Sequence, residues 1–396
     1  MNLLADMRKW TRRLAALLVI CICGCDAHRG PTQSDEEALP AARLVAKRDV
    51  YVARHRGEEI FRIEARKWRD GRRGAIAITY DAPWGINKVF SLATDAAIAH
   101  GLRMDVEIVS AKLQHPSRFP IVDRMRRELL PNGVGVFGHG HEHVDHDALS
   151  YGQAYDSFKL NFDLMEKWGL NPRAYAYPRN AGRLGRTQMA NRKAGFICAR
   201  GGTREPGEYY LCRGGVREPY SWYNLPSVIM GTEGGDIPDH KSLEPILRRT
   251  LDLEAWVILM YHSIGYPDGW AYYPYIEFWR DLQFIKKEDF WSGNLDAIAA
   301  YIQERNALDI RIVPYFGDDI PREYIIIVRD GLDNDVFNEP LTLDLTFRPE
   351  LNVQKVFIDP PIDEQTTFPV IDGELRLQMV PDERQYSLVL DSGDSD

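Results

Sequence analysis

The chain has 396 residues, 44% hydrophobic and 27% charged, with 31 Gly and 23 Pro, and this balance excludes a disordered, collagenous or multi-pass membrane protein. Its length accommodates two or three domains. The formal charge of -9 argues against a nucleic-acid partner, which requires a basic face to displace counterions from phosphate.

Five cysteines are placed unevenly: Cys21, Cys23 and Cys25 crowd the N-terminus, and Cys198 and Cys212 stand alone in the interior. Residues 1–13 carry Arg8, Lys9, Arg12 and Arg13, and an uncharged apolar run follows from Leu14 to Cys23. That run is far shorter than the roughly 20 residues of a membrane-spanning helix, so it reads as a secretory signal. Its end, Ile22-Cys23-Gly24-Cys25, resembles the bacterial lipobox, which implies cleavage before Cys25, lipidation of its thiol and attachment to a membrane. Asp26 resembles the signal that retains lipoproteins on the inner membrane, so a periplasmic, lipid-anchored location is expected. Residues 25–45 then read as a polar tether. An oxidising compartment would permit a disulfide between Cys198 and Cys212.

Beyond the tether, strand and helix patterns alternate. Ala75–Tyr80, Met104–Val109, Val134–Phe137, Arg173–Tyr177, Gly195–Cys198, Trp256–Met260 and Ile310–Val313 are short apolar runs bounded by turn residues, and helical stretches are predicted between them, including Gln153–Trp168 and Leu295–Arg305. Such repetition predicts a distorted parallel (β/α) barrel of about seven strands over residues 46–320. From Arg322 onward the chain changes character, with 6 basic and 17 acidic residues and none of the ten histidines. Leu341–Phe347, Leu375–Met379 and Tyr386–Leu390 each alternate apolar and polar positions, which predicts a small antiparallel β-sandwich over 321–396.

In a barrel of this kind chemistry collects at the C-terminal ends of the strands. Asp81 follows the first strand. After the third comes Gly138-His139-Gly140-His141-Glu142-His143-Val144-Asp145-His146, in which His139 and His143, four residues apart, would share one face of a helical turn and reach a single metal ion. Tyr177-Pro178-Arg179 follows the fourth strand, and His262 follows Trp256–Met260. Past His262, the aromatic-rich loop from Gly265 to Tyr275 suits either a sugar-stacking platform or packing beneath a long loop.

In this order the motifs resemble those of the polysaccharide deacetylase family, the NodB-like carbohydrate esterases. Thr79-Tyr80-Asp81-Ala82 is similar to the family's Thr-Phe-Asp-Asp, His139–His143 to its spaced histidine pair, Ala176-Tyr177-Pro178-Arg179 to its proline-containing turn, and Leu259-Met260-Tyr261-His262 to its terminal Leu-x-His. The resemblance spans residues 74–315. It implies a divalent metal ion, zinc foremost, held by His139 and His143, with Asp81 as general base and as a candidate ligand. It further implies His262 as proton donor, an oxyanion site at Tyr177, Pro178 and Arg179, and an acetylated polysaccharide as substrate. Ala82 stands where the family has its metal-binding aspartate, which leaves Asp81, Asp145 or His146 to complete the ligand set. Arg179 follows the proline where the family has an arginine ahead of it. The alternative is a carbohydrate-binding lipoprotein that kept the barrel and lost catalysis, supported by Ala82 and Ala176.

Overall fold

The computed structural model describes residues 49–81, 88–315 and 322–393, without the side chains of residues 88–90. The expected signal, tether and lipidation site at Cys25 lie outside the described residues, as does Ala82. The chain opens with a hairpin of β1 (Val50–His55) and β2 (Glu58–Ala65). The barrel follows as β3 (Gly74–Tyr80), β4 (Met104–Ile108), β5 (Val134–Gly138), β6 (Ala174–Ala176), β7 (Cys198–Arg200), β8 (Val228–Ile229) and β9 (Trp256–Tyr261). Between these strands run α1 (Lys88–His100), α2 (Ser110–Leu113), α3 (Phe119–Arg124), α4 (Tyr151–Lys167), α5 (Gly185–Ala194) and α6 (His240–Asp252). α4 shows why its boundaries lie there. Ser150 and Gln153 cap each other reciprocally, and Ala154, Phe158, Asn161 and Met165 then recur at helical spacing on the buried face.

The seven barrel strands are parallel and lie side by side in the order β7-β6-β5-β4-β3-β9-β8. Bridges from Arg200 to Leu225 and from Thr203 to Val228 join the two ends, so the sheet closes on itself. Strand β3 is buried along its whole length, as expected of a parallel strand covered on both sides. Alternation sorts its residues. Ala75 and Ala77 share the interior with Phe137, Ala176, Trp256 and Ile258. Ile76, Ile78 and Tyr80 instead pack outward with apolar residues of the helices, such as Leu247 and Phe278. Small alanines on β3 leave room for Phe137 and Trp256 inside a narrow barrel.

After β9 come β10 (Ser263–Ile264), β11 (Tyr272–Tyr273), α7 (Tyr275–Lys287), β12 (Phe290–Ser292) and α8 (Leu295–Ala307), followed by β13 (Asp309–Pro314), β14 (Glu323–Arg329), β15 (Leu341–Phe347), β16 (Lys355–Ile362), β17 (Gln365–Pro369), β18 (Glu374–Met379) and β19 (Asp382–Asp391). Two antiparallel sheets make the sandwich, ordered β1-β2-β15-β18 and β13-β14-β19-β16-β17.

Three expectations are corrected here. The hairpin β1–β2, expected in the barrel domain, pairs with β15, matching Ile63 to Leu345. Ile310–Val313, expected as a barrel strand, pairs antiparallel with β14, and the two-residue β8 takes the remaining place in the barrel. A short amphipathic run shows its period and not its partner, so local pattern cannot separate these cases. Cys198 and Cys212 are both buried and free, so no bridge joins them. Among the described residues no helix is long and apolar enough to cross a membrane.

Helix α8 links the two architectures, since Leu295, Ile298 and Tyr301 share one apolar core with Leu341, Leu343 and Phe347. Phe61, from the N-terminal hairpin, is fully buried and stacks edge-on against Tyr324 at 4.9 Å between ring centroids. Phe61→Ala is therefore expected to cost about 3–5 kcal/mol of global stability in urea unfolding. A loss below about 1 kcal/mol would show the hairpin to be dispensable to the sandwich.

Candidate active site

Period-two alternation carries the barrel's inward positions to its C-terminal mouth. On β3 the inward series Ala75, Ala77, Thr79 ends one step later at Asp81, whose N–H donates to Tyr261 O at 2.8 Å. On β4 the same face carries Glu107. On β5 it passes through Phe137 to His139, whose N–H donates to Ile108 O at 2.9 Å. On β7 it presents Arg200, and on β9 Met260 and then His262. Six inward side chains from five strands therefore meet at one end of the barrel.

Arg200 is completely buried and Asp81 keeps only 5% side-chain exposure. One guanidinium nitrogen donates to Asp81 Oδ1, another reaches Met260 Sδ at 2.9 Å, and the guanidinium lies over the Phe137 ring at 5.0 Å. Burial is the strongest single influence on the Asp81 carboxyl and pushes it upward, but the Arg200 charge and hydrogen bond, with His262 and His139 acting in the same sense, together hold the group below the usual carboxylate range. The second carboxylate oxygen of Asp81 faces His262 Nε2 at 3.8 Å. His262 is held down to about 4 by burial, so it is neutral at physiological pH, and its Nδ1 is buried without a partner among the described residues. Trp270 stands edge-on to the His262 ring at 4.3 Å, half exposed at the mouth.

His139 has a fixed tautomer. Its Nδ1 lies 2.8 Å from Ala176 O, which can only accept, so the proton sits on Nδ1. The Nε2 lone pair consequently faces Glu107 Oε2 at 3.2 Å. An unprotonated imidazole nitrogen opposite a carboxylate oxygen requires a proton or a cation between them. Asp81, Glu107 and His139 are all buried and bring their ligand atoms within 4.8 Å of one another. Burial, reinforced by the Asp81 charge, pushes the Glu107 carboxyl well above its ordinary value, and burial holds His139 down to about 3. Two carboxylates and one imidazole of fixed tautomer form a donor set suited to a divalent ion.

The expected residues are distributed differently from the histidine-pair reading. Asp81, His139 and His262 meet at the site. His143 lies beside them, its ring 5.0 Å from that of His139, but on a bend rather than a helical turn and outside the close group of three ligands. His146 stacks on Phe158 at 4.4 Å and bonds Ser157 Oγ at 3.0 Å. Asp145 accepts from Asp147 N–H at 3.0 Å and caps the short turn that follows it. Neither completes the ligand set. The Tyr177 N–H donates to Arg200 O at 2.9 Å and proline has no N–H, so neither Tyr177 nor Pro178 supplies a backbone oxyanion donor. Arg179 is exposed with φ of 58°, near enough for its charge to add to burial in lowering His143, while Arg200 is the arginine that pairs with Asp81.

Glu107 and Arg200 are the residues that sequence reading missed. Glu107 had a signal: in Met104-Asp-Val-Glu-Ile, acidic residues alternate on a strand buried on both faces, where a charge needs a purpose. Arg200 falls two residues beyond the predicted end of its strand.

No family model and no curated protein matches the chain. Among solved structures it is similar to a family 4 carbohydrate esterase from Streptomyces lividans in complex with acetate, at 14% identity over 56% of this chain and 93% of that one, with a TM-score of 0.37. It is also similar to the peptidoglycan deacetylase PdaC from Bacillus subtilis, at 13% identity over 59% of this chain and 94% of that one, TM-score 0.38. A third, the carbohydrate deacetylase Agd3, is 10% identical over 81% of this chain and 65% of that one, TM-score 0.42. Their names fall in the class that the motifs resemble.

If Glu107 is a ligand, Glu107→Gln weakens zinc binding by about 10–100-fold in a calorimetric titration, while His146→Ala leaves it unchanged. The reverse order would place the ion on the histidine loop.

Proposed function

We propose that the chain is a metal-dependent hydrolase that removes amide- or ester-linked acetyl groups from a cell-envelope or exported polysaccharide. The observation that carries this reading is a buried carboxylate, ionised by Arg200, set between a carboxylate–imidazole ligand pair and a neutral histidine at the barrel mouth. Glu107 and His139 would hold the ion, with Asp81 and His143 on its flank. A bound divalent ion, zinc foremost, polarises an acyl carbonyl and acidifies a water molecule.

The protein's own residues then manage the proton. Asp81 Oδ1 is occupied by Arg200, so Oδ2 accepts the proton of the attacking water as the water oxygen bonds to the acyl carbon. His262, neutral and 3.8 Å away, relays that proton to the leaving nitrogen or oxygen as its bond to the acyl carbon breaks. Acetate and a free amine or hydroxyl result. Arg200 fixes the orientation of Asp81 and keeps it ionised despite burial. Trp270, half exposed beside His262, and Tyr266, equally exposed on the same loop, offer aromatic surface on which a pyranose ring can stack. The lipobox-like segment ending at Cys25 supports a lipid-anchored enzyme at the periplasmic face of the inner membrane.

The test is acetate release from N- and O-acetylated oligosaccharides with added zinc or cobalt. Asp81→Asn is expected to lower the rate by about 10²–10⁴-fold, and His139→Ala to abolish metal-stimulated turnover. Glycan binding without acetate release under any metal condition would refute the enzyme and favour a binding protein on the same barrel.

A further inference from the structure

The turn between β2 and β3 reads Arg66-Lys67-Trp68-Arg69-Asp70-Gly71-Arg72-Arg73, five cations and one acid in eight residues. It lies at the N-terminal end of the barrel, away from the strand ends that carry Asp81 and His139. There it lines a cavity of about 570 Å³, to which Arg66, Lys67, Arg72 and Arg73 contribute from the turn, Arg217 from a glycine-containing loop and Arg305 from α8. Three acidic residues, Asp49, Glu64 and Glu254, line the same space.

Most of these cations have partners. Arg217 bonds both oxygens of Asp49, at 2.5 and 2.6 Å. Arg72 meets Asp289 at 3.2 Å, Arg73 meets Asp252 at 3.8 Å, and Arg66 lies between Glu64 and Asp344. Lys67 and Arg305 differ. Lys67 Nζ donates to the Gly214 carbonyl at 2.6 Å. Arg305, only 5% exposed, donates to the Lys67 and Arg217 carbonyls at 2.7 and 3.3 Å and to Asn306 Oδ1 at 3.1 Å. Among the described residues neither cation has a carboxylate within 4.0 Å. Two adjacent cations with their backs in protein and no directly paired carboxylate, only the longer-range attraction of Glu254 and Asp49, are disfavoured unless an anion joins them. Burial, together with the Arg305 charge, pulls the Lys67 amine down to about 8, although Glu254 acts in the opposite sense.

We infer that this cavity binds a phosphate group, with Lys67 and Arg305 at its base and Arg66, Arg72 and Arg73 at its rim. The tetrahedral oxygens of a phosphate can accept from several of these donors at once, and guanidinium and ammonium groups both suit it. The group can come from a soluble phosphate or from the headgroup of an anionic phospholipid. The assignment is independent of the proposed hydrolase activity.

Titration calorimetry of the full chain at low ionic strength tests it, with inorganic phosphate and with water-soluble dibutyryl phosphatidylglycerol as probes and dibutyryl phosphatidylcholine as control. Saturable binding of either anionic probe is expected, weakened at least tenfold in Lys67→Gln and in the rim variant Arg72→Gln, and unchanged in Arg248→Gln on α6. Tighter binding of phosphatidylglycerol identifies a lipid headgroup as the source, and tighter binding of inorganic phosphate a soluble one. Lys67→Gln should keep the wild-type melting temperature in the absence of phosphate; should it unfold instead, Arg72→Gln alone decides. No binding of either anionic probe, binding that the variants leave intact, or equal binding of phosphatidylcholine would overturn the inference.

Discussion

Burying a carboxylate inside a barrel is costly, and the site at the mouth is organised around meeting that cost at Asp81. An isolated ionised carboxyl in such a place would simply take up a proton. Arg200, wholly out of water, prevents this by pairing with one oxygen and leaving the other free. The pair also costs desolvation on both sides, so it is weak grounds for stability. Its value is chemical: it keeps the Asp81 carboxyl ionised in a site too dry to ionise it unaided. Glu107, without such a partner, is pushed the other way by the same burial. Two carboxyl groups a few ångströms apart are thus driven toward opposite protonation states, Asp81 ionised and Glu107 neutral.

The barrel makes this possible through closure and alternation. Because the ring of strands is completed by backbone bonds near Leu225 and Val228, inward side chains have nowhere to point but toward one another. Alanines and a few large apolar residues fill the interior, and polar groups gather only where the strands end. At the opposite end, helix α8 and the sandwich form a continuous core with the barrel. The two architectures are fused there, so the sandwich supports the fold without occupying the mouth that holds Asp81 and His139.

Much of this was legible in the residues. Strands β3, β5 and β9, helices α4 and α8, and the alternating β15, β18 and β19 lie where periodicity placed them. Asp81, His139 and His262 were legible because chemistry-bearing side chains stand directly after apolar runs. Glu107 left a fainter trace, a charge inside a fully buried strand and away from the strand ends where the other site residues stand. Arg200 was missed because Cys198 looked like the end of its run. The histidine loop misled through abundance: His146 is a packed ring on Phe158, and His141 bonds Ser110. The hairpin's place in the sandwich was beyond reach, since pairing Ile63 with Leu345 joins residues far apart in the chain. Local pattern carries no record of such partners.

The account turns on Glu107 supplying the carboxylate that Ala82 lacks. Anomalous diffraction from crystals grown with zinc tests this most directly. The account predicts a single strong peak bonded to both Glu107 and His139, with Asp81 still paired to Arg200. A peak on His141 or His146, with Glu107 and His139 bonded only to each other, would contradict it.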